Sequence, residues 1–444
     1  MKENAKRQLL IKSIRCKQVK PCSINSTKKK RSERLDTLQQ AADLSEEERA
    51  LLEREGTLSL DTAEHMVENL IGTYSIPVGL GLNMRINDKD YAVPMATEEP
   101  SVIAAQSAAN KLIRAAGGFQ AEASPRMMIG QIALSGVQNG KEASGAILGA
   151  KTELITLANE AHPSLKKRGG GAADITVREV KTPQENLLVV HLAVNTLDAM
   201  GANMINTMAE AVAARLEQLS GGTAEMKILS NLVDQATATA RCEIPAALLA
   251  GKGYSGEEVR DRIVWAYHFA ENDIYRAATH NKGIMNGIDA VILAFGNDTR
   301  AVEAACHAYA ARNGKYGPMN RWTVSKTGSL VGEMTLPMPV AAVGGSIKIV
   351  PLAKLAQKIV RLESAEELAM LTVSAGLAQN LAALRALVTE GIQAGHMSLQ
   401  AKSTAISAGA VGEEIEQVAR EMTATKSISL ATAAEIIERL HKTE

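Results

Sequence analysis

The sequence predicts an α+β protein of several domains, in which a mainly helical large domain accompanies a smaller, strand-rich one. At roughly 100–200 residues per domain, its 444 residues are enough for two or three domains. Residues 35–123 and 232–390 show mainly helical spacing of apolar side chains, whereas residues 124–231 alternate strands and helices. Residues 391–444 are helical in pattern, with short breaks.

Composition and charge exclude several classes of protein. Lys plus Arg and Asp plus Glu both number 49, so bulk charge does not draw the chain to nucleic acid or to a membrane surface. Aromatic residues make up only 3%, too few for platforms that stack single-stranded nucleic acid. The four cysteines provide no disulfide framework and show no spacing typical of a metal site. We therefore expect a soluble, cytoplasmic protein without a bound metal.

The first 34 residues carry an excess of positive charge, with 12 Lys or Arg against two Glu. They lack the apolar block and cleavage site of a secretory signal, although organellar transit peptides share their composition. We expect a basic extension without stable structure. Elsewhere no apolar run approaches the ~18–20 residues that a membrane span needs, so no membrane association is expected.

Caps and turns predict the elements at the start of the large domain. Ser45 precedes three glutamates, with Glu48 at capping-box spacing, which predicts a helix start. A second helix is expected from Leu60, with apolar residues at helical spacing up to Leu70. Three short strands and a helix that Gly117-Gly118 ends should follow, at residues 77–82, 84–86, 91–95 and 100–116.

The smaller domain reads as strand, helix, strand, strand, helix, an order that suits a split βαβ sandwich. The predicted segments are Met127–Leu134, Gly145–Ala158, Ile175–Val180, Leu187–Val194 and Asn203–Leu219. Beyond it, helices are expected again around one strand, residues 290–295.

One candidate anion site lies where the helix at 203–219 begins. Gly201 and Ala202 precede Asn203, and a glycine at a helix entrance lets an anion approach the exposed N–H groups. A glycine needed only for tight packing would give the same pattern. Gly169-Gly170-Gly171 does not have the spacing of the Rossmann fingerprint.

Charged residues cluster around the strand predicted at 290–295. Lys282 precedes it and Asp298 follows it, and a lysine near an aspartate could polarise a carbonyl group. A solvated pair of loops explains the same residues equally well. Glu98 and Glu99 stand at a predicted helix start, where a proton donor or a partner for the helix dipole are both possible. His396 lies at a boundary between helical segments, where Gly391 and Gly395 could be the hinges of a mobile lid, although a single histidine is more often structural.

Six motifs in succession closely resemble the 3-hydroxy-3-methylglutaryl-CoA reductase family, in its soluble microbial (class II) branch. The likeness extends from about residue 45 to the C-terminus and leaves residues 1–30 outside. Its motifs are residues 68–73, 98–101, 198–208, 275–289, 296–298 and 391–397.

The resemblance implies a large substrate-binding domain, an inserted nucleotide-binding domain with a ferredoxin-like core, and a helical C-terminal flap. It assigns catalysis to Glu99, Lys282, Asp298 and His396, which reduce a thioester in two hydride steps to mevalonate and free CoA. Contacts to the acyl substrate fall to Ser101, Arg276 and Asn286, and the dinucleotide-phosphate site falls to Gly201, Ala202 and Asn203. The family works as homodimers or trimers of dimers with active sites shared between subunits.

In this scheme Lys282 stabilises the developing alkoxide, Asp298 orients Lys282, and Glu99, beside Glu98, delivers a proton. His396 protonates the departing CoA thiolate, since imidazole exchanges protons near neutral pH.

His162 occupies roughly the position at which NAD-selective members carry an aspartate. Three cations follow at 166–168 and suit a 2′-phosphate, so we expect NADPH to be preferred, with NADH possible. An NADH-linked enzyme that degrades mevalonate remains the alternative.

Two other classes bind the same ligands. A thiolase-like acyltransferase needs an activated cysteine, and neither Cys242 nor Cys306 lies in a suitable context. A non-catalytic binder of CoA or nucleotide would not need all four catalytic residues.

Overall fold

The computed structural model of the chain describes residues 30–54, 56–425 and 427–442, and it describes residues 392–399 by their backbone alone. In this part of the chain the protein is a mixed α/β structure. Its helices are α1 Arg31–Ala42, α2 Glu46–Glu53, α3 Leu60–Glu64, α4 Val102–Ala115, α5 Gly140–Gly149, α6 Lys151–Glu160, α7 Pro163–Lys167, α8 Ala202–Ser220, α9 Ala246–Leu249, α10 Gly256–Asn272, α11 Ile274–Ala294, α12 Thr299–Ala310, α13 Pro351–Val360, α14 Ala365–Val388, α15 Ile392–Ser407, α16 Glu414–Ala424 and α17 Leu430–His441.

The strands form one hairpin and two four-stranded antiparallel sheets. The hairpin pairs β1 with β2, one sheet has the order β3-β8-β10-β9, and the other has the order β5-β6-β4-β7. The strands are β1 Val78–Ile86, β2 Lys89–Ala96, β3 Gln120–Ala123, β4 Met127–Ser135, β5 Gly171–Lys181, β6 Asn186–Asn195, β7 Thr223–Leu229, β8 Thr237–Ile244, β9 Asn320–Val324 and β10 Leu330–Pro337.

Buried apolar side chains of the described residues form separate cores. The largest combines the hairpin, the β3-β8-β10-β9 sheet and the helices α4, α10, α11 and α14. A second core lies between the β5-β6-β4-β7 sheet and the helices α5, α6 and α8. The three C-terminal helices share a small core of their own, which includes Val418 and Met422. Each of these three sets therefore buries its own apolar faces.

Several predicted elements are confirmed. Ser45 caps α2 through a capping box with Glu48, as its position indicated. The turn between β1 and β2 places Asn87 and Asp88 at positive φ, which these residue types tolerate in hairpin turns. Gly118 follows the end of α4 with a φ of +102°.

The strand predicted at 290–295 is wrong, because these residues form the last turns of the long helix α11 and its cap. An apolar run of this length fits a buried helix as well as a buried strand, and burial on nearly every side removes the helical period. The residues from Tyr275 to Ala294 are therefore one continuous helix. Lys282 lies in its middle and not in a loop before a strand.

Other corrections concern strands and ends. Neither β7 nor the sheet β3-β8-β10-β9, whose strands are mostly distant in the chain, was predicted. The predicted helix from Leu60 ends at Glu64, well before Leu70. Residues 31–34 begin α1 and do not belong to an unstructured extension, while residues 1–29 lie outside the described residues.

One helix, α14, is long and apolar enough to cross a membrane by length and composition alone. Of its most apolar 18-residue window, 67% is buried inside the protein. It packs against α11, α4 and β8, which is the arrangement of a core helix.

Candidate active site

Three side chains from two distant segments of the chain meet at the surface of the large core. Lys282 Nζ lies 2.5 Å from Glu99 Oε2, and Asn286 Nδ2 donates to the same oxygen at 3.2 Å. Lys282 and Asn286 are one turn apart on α11 and so share a face, while Glu99 comes from the segment between β2 and α4. The Lys282 side chain is 61% exposed and that of Glu99 37% exposed, so both are accessible to a ligand.

Asp298 is placed by the helix that follows it. Its Oδ1 accepts from the N–H groups of Arg300 and Ala301 at 3.0 and 3.1 Å, which caps α12. The same oxygen lies 3.4 Å from the guanidinium of Arg300. Among the ion pairs of the described residues none joins Asp298 to Lys282, whose partner is Glu99.

Ser101 combines two features that an ordinary surface serine lacks. Its φ is +80°, an uncommon conformation for a residue other than glycine. Its hydroxyl is buried and has no hydrogen-bond partner among the described residues. A buried hydroxyl without a partner costs free energy unless a ligand completes the bond, so Ser101 is suited to ligand binding.

Arg276 lies in the first turn of α11, six residues before Lys282. Its side chain makes no hydrogen bond or ion pair in the described part of the chain, and partial burial lowers the pKa of its guanidinium. A half-buried cation without a counter-ion favours an anionic ligand such as a carboxylate.

The entrance of α8 has the features of a phosphate site. Gly201 adopts a φ of +90°, and a Cβ at this position would lie 2.4 Å from Thr196 Cγ2, so a side chain would both strain the backbone and clash. In the described part of the chain no side chain caps this helix of 19 residues, which leaves the N–H groups at Ala202 and Asn203 available. The residues present therefore fit a dinucleotide phosphate.

The segment with His162 is a loop closed at its base. The amide of Asn159 pairs with both the N–H and the carbonyl of Ala172, at 2.9 and 3.1 Å, which joins the end of α6 to the start of β5. His162 precedes the five-residue helix α7, and the three cations at 166–168 are exposed. This role of Asn159 was not predicted from the sequence.

A buried polar network next to Lys282 also escaped prediction. His280 Nε2 lies 2.7 Å from Asn320 Oδ1 and 3.1 Å from Asn380 Nδ2, and Trp322 donates to Asn380 Oδ1 at 2.8 Å. Burial lowers the pKa of His280 to about 4, so its ring is neutral near pH 7. The network fixes α11 against β9 and α14. Its signal in the sequence was Asn380, a polar residue within an apolar stretch.

Two further predictions concern the flap histidine and the cysteines. His396 lies on α15, which begins after Gly391 at a φ of +82°, but its side chain lies outside the described residues. Cys242 and Cys306 are both buried, and burial raises the pKa of Cys242 to about 12 and that of Cys306 further. Neither of these two buried thiols has the exposed surroundings of a nucleophile, so the described residues do not support the thiolase-like alternative.

The family model for hydroxymethylglutaryl-coenzyme A reductase matches residues 30–401. The chain belongs to this family. It is 46% identical over 408 residues to 3-hydroxy-3-methylglutaryl-coenzyme A reductase from Archaeoglobus fulgidus, covering 92% of each chain.

Solved structures of reductases from Streptococcus pneumoniae agree with this assignment. One is 48% identical with a TM-score of 0.80, and the match covers 93% of this chain and 98% of the other. A second, a class II enzyme bound to NADPH in open conformations, is 48% identical with a TM-score of 0.79. This match covers 93% of this chain and 100% of the other. The predicted class II assignment is confirmed. The activity of this reductase family is the interconversion of 3-hydroxy-3-methylglutaryl-CoA with mevalonate and CoA by two hydride transfers.

Proposed function

We propose that Glu99, Lys282, Asp298 and His396 carry out this reaction in the reductive direction, towards mevalonate. The observation that carries the proposal is that Lys282 and Asn286, which are neighbours on α11, both contact one carboxylate oxygen of Glu99, 183 and 187 residues away in the chain. Such a cluster on an exposed face has no evident structural purpose.

The cluster suits a carbonyl that gains electrons. The Lys282 ammonium lies where it can stabilise a substrate oxygen that becomes an alkoxide. Glu99, whose Oε2 is 2.5 Å from Lys282 Nζ, can in its protonated form deliver a proton to that oxygen. Asp298 caps the next helix, α12, and the role that the resemblance assigns to it is to orient Lys282. When bound, the nicotinamide supplies the hydride. His396, on the helix after Gly391, protonates the CoA thiolate as it leaves.

Substrate contacts follow from the groups without partners. The Arg276 guanidinium holds the carboxylate of the acyl group, the Ser101 hydroxyl binds a substrate oxygen, and Asn286 places its amide beside both Glu99 and the acyl chain.

Ser101→Ala should raise KM for the thioester about five- to tenfold with little change in kcat, because a single hydrogen bond to substrate is lost. The melting temperature should not fall, since the hydroxyl has no protein partner among the described residues. Steady-state kinetics and thermal unfolding measure both. Ser101→Gly should behave alike while relieving the positive φ. A lower melting temperature with an unchanged KM would assign Ser101 a structural role instead.

We propose NADPH as the preferred cofactor, with NADH possible. Gly201, Ala202 and Asn203 hold the phosphates at the entrance of α8, and His162 with the cations at 166–168 lies at the 2′-phosphate. The NADPH-bound structure of the Streptococcus pneumoniae enzyme supports this choice. The test of the function is NADPH and NADH oxidation, measured side by side, with and without the thioester.

His162→Asp should shift the ratio of kcat/KM towards NADH by at least about tenfold, because a carboxylate repels the 2′-phosphate and accepts from a 2′-hydroxyl. His65 is an exposed histidine far along the chain from this loop, and His65→Asp should leave the ratio unchanged. A wild-type preference for NADH would refute both the cofactor proposal and the biosynthetic direction.

The domain division and assembly are also proposals. Residues 35–123 and 232–390 form the large domain, residues 124–231 form the inserted nucleotide-binding domain, and residues 391–444 form the flap. The basic extension, predicted at residues 1–34, ends where α1 begins at Arg31. The enzyme is cytoplasmic and binds neither membrane nor nucleic acid.

A homodimer or trimer of dimers with shared active sites is supported by apolar residues exposed around the motif at 68–73. Val67, Ile71, Tyr74 and Val78 are 52%, 105%, 88% and 43% exposed, beside an apolar cavity of about 1050 Å³. A patch of this kind usually marks a subunit contact.

A further inference from the structure

A short extended segment joins the nucleotide site to the catalytic aspartate. We call residues 338–343, which follow β10, the strap. Met338 and Val340 are fully buried and Ala341 is 5% exposed, so the strap runs through the interior up to residue 341 and reaches the surface at Val343, which is 43% exposed. It lies in neither a helix nor a strand, and its backbone groups are bound by other parts of the chain.

On one side the strap is held by Asn297, the residue before Asp298. Asn297 Oδ1 accepts from Ala341 N at 2.6 Å, and Asn297 Nδ2 donates to Ala341 O at 3.0 Å. Both backbone groups of one strap residue are therefore bound by one side chain. Because the next residue caps α12, a displacement of Asn297 also displaces the Asp298 carboxylate.

On the other side the strap is held by Asp198, three residues before Gly201. The Asp198 carbonyl accepts from Ala342 N at 2.9 Å and from Val343 N at 3.2 Å. Its carboxylate also accepts from Ala365 N, at 2.8 Å, at the start of α14. The loop that leads into α8 is thus attached to the strap and to the large core.

A buried arginine adds a further attachment. Arg126 lies just before β4, is 5% exposed, and donates through Nη1 to Met338 O at 2.9 Å and through Nη2 to Val340 O. Burial lowers the pKa of Arg126 to about 10, which is still well above 7, so the guanidinium remains charged near pH 7. Bonds from a charged donor are stronger than neutral ones, so the beginning of the strap is firmly placed.

We propose that Asn297 is a positioning residue that, through the strap, holds Asp298 at a fixed place relative to the nucleotide-binding entrance of α8. Asn297 binds strap residue 341 and Asp198 binds residues 342 and 343, so neither anchor can move far without moving the other. The inference rests on the proposed roles of Asp298 and Gly201. It adds that cofactor binding at α8 stabilises the segment bearing Asp298.

The test is hydrogen exchange of backbone amides with and without NADPH. In the wild-type enzyme NADPH should slow exchange at residues 338–343 and also at residues 297–301. In Asn297→Ala the protection at 338–343 should persist through Asp198, whereas that at 297–301 should disappear. NADPH affinity, by fluorescence titration, should weaken about fivefold, within the usual range of coupling between sites. The kcat should fall about 10- to 100-fold, as expected for a misplaced catalytic group, with KM for the thioester nearly unchanged.

Two variants separate positioning from general stability. Asn87, an exposed residue of the β1–β2 turn, makes the same pair of amide bonds to Ala121, at 2.7 and 3.0 Å. Asn87→Gly, which suits the φ of +47°, should leave the NADPH-dependent protection at 297–301 intact. Asn297→Asp retains the acceptor for Ala341 N and should retain part of the protection, which keeps the test valid if Asn297→Ala folds poorly.

Protection at 297–301 that survives in Asn297→Ala, or that is missing in the wild-type enzyme, would overturn the inference. A wild-type enzyme that binds NADPH and shows the protection, but does not oxidise NADPH with the thioester, would overturn the proposed function while supporting the strap. The two failures are therefore distinguishable.

Discussion

Lys282→Met should lower kcat for thioester reduction about 100- to 1000-fold. Methionine is of similar length but carries no charge, so the developing alkoxide loses its electrostatic partner, and removal of one such group usually costs this much. The loss should be equally large with free mevaldehyde, because both reduction steps pass through an alkoxide. NADPH oxidation with each substrate measures the effect.

A matched ion pair elsewhere serves as the control. Lys358 lies 2.5 Å from Glu48, with side chains 40% and 31% exposed, and joins α13 to α2. Lys358→Met removes a similar contact and should leave kcat unchanged, because surface ion pairs contribute about 1 kcal/mol or less to stability. An activity of Lys282→Met close to that of Lys358→Met would contradict the proposed site.

His396→Gln should abolish thioester reduction but largely spare the reduction of free mevaldehyde. The imidazole is needed only when CoA leaves, and a thiolate that is not protonated can attack the aldehyde again. Glutamine retains hydrogen-bonding capacity without supplying a titrating proton. Parallel assays with the thioester and with mevaldehyde reveal the difference.

His441 on α17 provides the control within the same helical region. Its Nε2 lies 2.8 Å from Glu414, and His441→Gln should change neither rate. Equal losses of both activities in His396→Gln would show that His396 supports the structure of the flap and does not act in CoA release.

Local sequence predicted the features that local physics controls. Ser45 caps a helix through a box with the glutamate three residues later, and the turn at Asn87 closes a hairpin. The strands β4, β5 and β6 and the helix α8 also agree closely with their predicted positions. The motifs identified the family, because their residue types and order extend over most of the chain.

Elements that depend on distant partners were not predicted. β10 pairs Leu330 with Ile244 on one side and with Val324 on the other, so neither edge of this strand is decided nearby. The run at 290–295 is buried whichever structure it adopts, and only its packing against α14 and β2 makes it a helix.

The sequence by itself determined which residue types are available for chemistry, where a capped helix such as α2 begins, and which family the chain resembles. Only the tertiary structure decided which of these residues meet. It pairs Lys282 with Glu99, whereas the Asp298 carboxylate accepts from the N–H groups of its own helix. It also leaves Ser101 without a partner and joins Asn297 to the strap. Contacts of this kind depend on packing between segments far apart in the chain, which no local pattern of residues specifies.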